Sequence, residues 1–297
     1  MRPRLALALA TAFAVACVAA LAFGPVPLSP LDVWHALTGS GSSGATAIVW
    51  QLRLPRAALG AFVGAGLGMS GAALQATLRN PLAEPYLLGV SGGAAVGAVA
   101  ATVLGAAAAF VPPAAFVGAA LAVGLVLAVA RVSRTPHDAR ILIMAGVVVG
   151  AFANAAIMIV LAGAPAESVR GALWWMMGSL ADASWSGVAW VAVYVAAGGA
   201  ALLALGRDIE LLSLGEDPAA ALGVDVARST RNTFLAASLV AAVTVAGAGL
   251  VGFVGLVVPH LARSAGVRGH RAAILASAVV GGTLVIAADV VARVALR

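Results

Sequence analysis

The run AALGAFVGAGLGMSGAALQATL, residues 57–78, holds no charged side chain and spaces Gly60, Gly64, Gly68 and Gly71 three or four residues apart. As a helix it would reach about 33 Å, enough to cross a bilayer core of about 30 Å. Glycines at that spacing share one face and let a second helix backbone come close, so the run predicts a membrane helix in a compact bundle. The rest of the chain has the same character. Of 297 residues 63% are hydrophobic and only 9% charged, and the mean hydropathy is +1.08, which excludes an ordinary soluble domain. Alternating strands of a membrane barrel are absent, so helices must satisfy the backbone in lipid.

Further apolar segments read at about 5–23, 86–109, 114–130, 141–162, 185–205, 234–250, 252–265 and 272–295, making nine with the first. The fold class is therefore all-α, a polytopic membrane helix bundle of about nine transmembrane helices in a single domain, 1–297. The 252–265 piece contains Pro259 and His260 and would reach only about 21 Å, so it should be broken and buried against its neighbours. Ser29, Pro30 and Asp32 read as the start of a short helix that Gly39 ends,. The first segment, behind Arg2 and Arg4, reads as a retained membrane helix because its apolar stretch is long for a signal peptide and no clean cleavage site follows,. Placing the N-terminus in the cytoplasm puts twelve of the 17 basic residues inside, the bias expected of a membrane protein. Arg53, Arg56, Arg170, Arg293 and Arg297 fall outside. The net charge of +6 thus lies in short loops and implies no nucleic-acid partner. The lone Cys17 allows no internal disulfide, and four scattered His show no metal-ligand spacing,.

Three stretches are the most informative: Leu52-Arg53-Leu54-Pro55-Arg56, Arg79-Asn80-Pro81-Leu82-Ala83-Glu84-Pro85, and Gly252-Phe253-Val254-Gly255 through Pro259-His260-Leu261-Ala262-Arg263. With Leu214-Gly215-Glu216, Ala221-Leu222-Gly223-Val224 and Ala288-Asp289-Val290-Val291-Ala292-Arg293, they resemble, in order and along the whole chain, the FecCD/BtuC-like permeases of ABC importers for iron-siderophores, haem or cobalamin. The resemblance implies a second permease copy, identical or related, two ATPase subunits, an extracytoplasmic binding protein, and a place in the bacterial cytoplasmic membrane. It implies binding-protein docking at Arg53, Arg56 and Arg293, where a guanidinium suits capture of a carboxylate. It implies ATPase coupling through 208–230, with Leu214, Gly215, Glu216, Ala220, Leu222 and Gly223 at its centre. An inner gate at Asn80 and Leu82 is also implied, with the 135–140 loop as its other element, although His137, Asp138 and Ala139 depart from the small hydroxyl residues usual there. No cofactor is expected in this chain: it has no Walker A sequence, so ATP and Mg would be held by the partner ATPase. On family frequency iron-siderophore or haem ranks ahead of cobalamin.

Four readings stay open. Asp289 either pairs with Arg293 four residues on or serves transport, the first being favoured. Trp174 and Trp175 fit an interfacial belt or a vestibule. Gly89-Val90-Ser91-Gly92-Gly93 matches the elbow of a serine hydrolase or a rhomboid-like protease with His260 as base, and an ion-coupled secondary transporter is a third class; missing strands and nearly chargeless helix centres weigh against both. Relatives of the resembled kind carry a tenth helix after the Ala-Asp-x-x-Ala-Arg stretch. This chain stops at Arg297, so the resemblance implies that the last helix is lacking or truncated.

Overall fold

The computed structural model describes residues 3–132 and 139–295. Its elements are helices: α1 Pro3–Ala22, α2 Pro30–Thr38, α3 Ser43–Ala47, α4 Leu54–Thr77, α5 Val90–Val103, α6 Val111–Val132, α7 Ala139–Ala162, α8 Ala166–Met176, α9 Trp185–Ala204, α10 Gly206–Leu212, α11 Glu216–Ala221, α12 Val226–Ala248, α13 Val254–Ser264 and α14 His270–Ala295. A π-helical turn, Ile48–Arg53, joins α3 to α4. Seven stretches of the described residues are long and apolar enough to cross a membrane. The two remaining apolar segments of the nine form the shorter α5 and α13, at about 21 and 16 Å.

These two are short for identifiable reasons. The expected 86–109 segment divides because Gly89 and Gly105 adopt positive φ, 79° and 72°, and a 3₁₀ turn at Pro85–Leu88 precedes the helix. Before α13 the chain leaves α12 at Gly249 (φ 70°) and runs non-helically to Phe253, a non-glycine residue at φ 65°. Pro259 lies inside α13. A half-helix entered by irregular chain is tolerated at membrane depth only when packed in protein, and Val254, Gly255, Val258, Pro259 and Ala262 are buried.

The glycine-spaced α4 is the axis of the bundle. A Cβ at Gly64 would lie 2.1 Å from the carbonyl oxygen of Gly281, one at Gly68 2.2 Å from that of Ser277, and one at Gly71 1.9 Å from that of Gly255. Backbone therefore touches backbone along α14 and α13, the close approach that small residues permit. The opposite side of α4, at Gly66, receives Thr244 and Val240 of α12. On the periphery, α1 packs Phe13, Cys17 and Ala20 toward α14 while Leu7, Val15 and Val18 stay exposed, as a lipid-facing helix should. The capping box of α2 is formed as read, Ser29 with Asp32, and Gly39 closes the helix at φ 78°.

Antiparallel packing of α4 on α14 gives the bundle two ends. One carries the α1 N-terminus, the 79–84 turn and the α10–α11 segment. The other carries α2, α8 and the Arg53, Arg56, Asp289 and Arg293 side chains.

Candidate functional site

At the amino-terminal end, α10 and α11 form a bent pair joined through Gly215 at φ 126°. Ile209, Leu212 and Ala219 are buried and anchor the pair. Asp208 accepts a 2.5 Å hydrogen bond from the Ser229 hydroxyl of α12, and Glu210 accepts one from the backbone N–H of His270 at the start of α14. Facing outward beside the acidic Glu216 and Asp217 are apolar side chains: Leu214 is 64% and Leu222 55% exposed, with Ala220 exposed beside them and Gly223 turning the chain at φ 84°. Glu216 pairs at 3.6 Å with Arg79, across a depression of about 500 Å³ that Arg140 and Asp217 also line. Leu214, Glu216, Ala220, Leu222 and Gly223 thus lie together on the surface, and Gly215 is the buried joint.

The 79–84 turn is built locally. Arg79 takes φ 49°, Asn80 accepts the Leu82 N–H on its side-chain oxygen at 2.9 Å, and Leu82 projects at 65% exposure. The Asx turn satisfies the backbone where Pro81 forbids helix. Glu84, half-buried, has its carboxyl pushed up by burial. Of the 135–140 loop, residues 135–138 lie outside the described residues.

At the opposite end the three arginines are bonded within the bundle. Arg53 is 4% exposed and donates to the carbonyls of Leu21, Ala22 and Val26. It caps the C-terminus of α1, where a cation complements the helix dipole. Arg56 forks onto Asp289 at 2.7 and 2.9 Å, and Arg293 meets the same carboxylate at 3.0 Å and the Ala20 carbonyl at 3.3 Å. The Asp289–Arg293 pair is thus the structural bridge favoured from sequence. The second cation on Asp289 was invisible there, since Arg56 lies 233 positions away. Arg56, at 23% side-chain exposure, retains an outward aspect, and Arg293, at 9%, keeps little of one. Beside them, Trp174 and Trp175 line a cavity of about 830 Å³ with Leu59, Asp182 and Gly249.

Other chemistry is scarce. Ser91 sits in the first turn of α5 and donates to the Tyr86 carbonyl at 3.3 Å, and no strand leads into it. Among the described residues no group of three His, Cys, Asp or Glu side chains is placed to hold a metal.

Residues 12–297 match the FecCD transport family. The chain belongs to that family. It is 44% identical over 84% of its length, and 67% of the relative's, to the cobalamin import system permease protein of Halobacterium salinarum. It is 36% identical to the vitamin B12 import system permease protein of Escherichia coli O157:H7, over 98% of its own length and 86% of the relative's. A solved metal-chelate type ABC transporter in an inward-facing conformation superposes with a TM-score of 0.89 at 28% identity, covering 99% of this chain and 91% of that one. In this FecCD permease the arginine, 79–84 and coupling motifs fall at the two ends of the bundle, and the 252–263 motif forms α13, packed on the glycine-lined axis between them. One site residue escaped the sequence reading: Gln75, buried in α4, which bonds α13. A lone amide in an apolar run was its only signal.

Proposed function

We propose that this permease carries a large metal chelate across the cytoplasmic membrane, cobalamin being the first candidate, as one of two permease copies driven by two separate ATPase subunits. The observation that carries this is the α10–α11 pair. An apolar tip held by hydrogen bonds to two different membrane helices suits a segment that must transmit force, whereas a free loop needs neither anchor. On this reading Leu214, Ala220 and Leu222 seat in a cleft of the ATPase. Glu216 and Asp217 favour the N-terminus of α11, and Gly215 and Gly223 supply its turns. ATP and Mg bind the partner.

The N-terminus is placed in the cytoplasm, consistent with the arginine bias. Asn80 and Leu82 then stand at the inner gate, one ion pair from the coupling segment. On the outer face, carboxylates of a binding protein engage Arg56 and Arg293, whose charges exceed that of Asp289 by one, and Arg53 supports this platform from beneath by fixing α1. The relatives named for cobalamin import support putting cobalamin ahead of iron-siderophore or haem as the candidate to test first. The test is uptake into proteoliposomes holding the permease, its ATPase and its binding protein. ATP-dependent uptake of cobalamin, not of ferrichrome or haem, supports the assignment, and the converse order overturns it.

A further inference from the structure

Pro259 sits at the sixth position of α13 and has no backbone N–H. In a regular helix that N–H would bond the carbonyl of residue 255, so proline leaves one acceptor unserved inside the bundle. Gln75 serves it. Its side-chain amide donates to the carbonyls of Gly255 at 3.3 Å and Leu256 at 3.1 Å, and its oxygen accepts from Arg263 Nη2 at 2.7 Å. The amide orientation is set by this network, since the reverse would put oxygen against two carbonyls. Gln75 is 4% exposed, on the helix whose Gly71 backbone already touches Gly255. On the other side a Cβ at Gly255 would lie 2.9 Å from the Pro85 ring, and Tyr86 Oη accepts the Val251 N–H at 3.0 Å.

We infer that Gln75 is a positioning residue for transport: it replaces the donor that Pro259 removes and so locks the half-helix α13 to α4 as one moving body. The connections of that body give the lock its purpose. At its end α4 runs into Arg79, which pairs with Glu216 of the coupling segment. From α13 the chain passes into α14, whose first N–H bonds Glu210 of the same segment. The coupling segment therefore grips both flanks of one unit, and a force on α10 and α11 moves α4, α13 and α14 together only if α13 is fixed to α4. On the entry side, Gly249 and Phe253, both at positive φ, form the joint about which that unit turns against α12. This inference rests on the permease reading.

The test is a four-protein cycle of wild type, Gln75→Leu, Pro259→Ala and the double variant, each assembled with its ATPase and binding protein in proteoliposomes. Pro259→Ala restores a backbone donor to Gly255 and makes the Gln75 bond to that carbonyl redundant. Gln75→Leu should lower binding-protein-stimulated ATP hydrolysis and cobalamin uptake about tenfold in the wild-type background, the consequence of a buried unserved acceptor, and less than twofold beside Pro259→Ala. The same cycle is read by thermal midpoint in detergent, which needs neither substrate nor ATPase, so a variant that assembles poorly is still scored. Equal losses from Gln75→Leu in both backgrounds overturn the inference. So does a coupled thermal cycle with unchanged transport, which would leave Gln75 a purely structural residue. A wild-type complex that never responds to ATP sinks the permease reading instead, and the thermal cycle still decides the bond substitution.

Discussion

Replacing Asp289 by asparagine keeps the shape of the side chain and removes its charge, leaving the Arg56 and Arg293 guanidiniums facing each other over a neutral amide. Asp289 takes three hydrogen bonds from Arg56, at 2.7, 2.9 and 3.1 Å, and Arg293 stands 3.0 Å from its Oδ2. Removing one partner of a buried ion pair costs about 3–5 kcal/mol. With side chains 9% exposed at Asp289 and Arg293 and 23% at Arg56, screening reduces this to about 2–4 kcal/mol. That loss corresponds to a fall of roughly 5–10 °C in the unfolding midpoint of the detergent-purified protein. The triple variant Arg56→Gln, Asp289→Asn, Arg293→Gln carries no uncompensated charge and should regain at least half of the loss. Binding-protein affinity separates the two roles of the cluster. Asp289→Asn frees two cations and should hold or raise that affinity, while the triple variant should lower it. A midpoint within 1 °C of wild type for Asp289→Asn would refute the assignment of Asp289 as the counter-ion of both arginines.

Further expectations follow from the same geometry. Gly64→Val places a methyl-bearing carbon 2.1 Å from the Gly281 carbonyl and should cost about 3 kcal/mol or more by forcing α4 and α14 apart, whereas Gly124→Ala, with open space around it, should match wild type in the same melting assay. Gly223 at φ 84° cannot accept proline, whose φ is near −65°, so Gly223→Pro should abolish binding-protein stimulation of ATP hydrolysis while membrane insertion persists; normal stimulation would count against the coupling placement. Burial raises the Glu84 carboxyl above its unfolded value, so its contribution is fully present below the unfolded pKa of about 4.3 and is lost as pH rises through the folded value. Glu84→Gln should flatten the fall of the melting midpoint as pH rises above the unfolded carboxylate value, and an unchanged pH profile would show that Glu84 makes no such contribution.

The helical class and the nine apolar segments were legible because lipid leaves the backbone no alternative. The break in 252–265 was legible too, as Pro259 and an insufficient length both announce it. The glycines of 57–78 announced close packing but not its partners: Gly64 meets α14 and Gly66 meets α12, and nothing local distinguishes two faces of one helix when both are built from small residues. Arg53 read as an outward cation because a charge beside a membrane helix normally seeks water. The carbonyls at the end of α1 that take its bonds lie about thirty residues earlier and are its neighbours only in the folded bundle. Gln75 was passed over for a similar reason, since the carbonyl it serves is orphaned by a proline 184 positions away. In each case the pattern carried by a segment's own solvent was readable, and the pairing of distant polar groups was not.

The proposed coupling of this FecCD permease to a separate ATPase runs through α10 and α11. It is tested most directly by purifying the tagged chain in detergent with the products of its neighbouring genes and measuring ATP hydrolysis with and without the binding protein. A stable permease–ATPase complex whose hydrolysis rises on adding the binding protein, and from which Leu222→Asp releases the ATPase, is the predicted result. An ATPase that fails to associate, or one that associates equally well after Leu222→Asp, would contradict it.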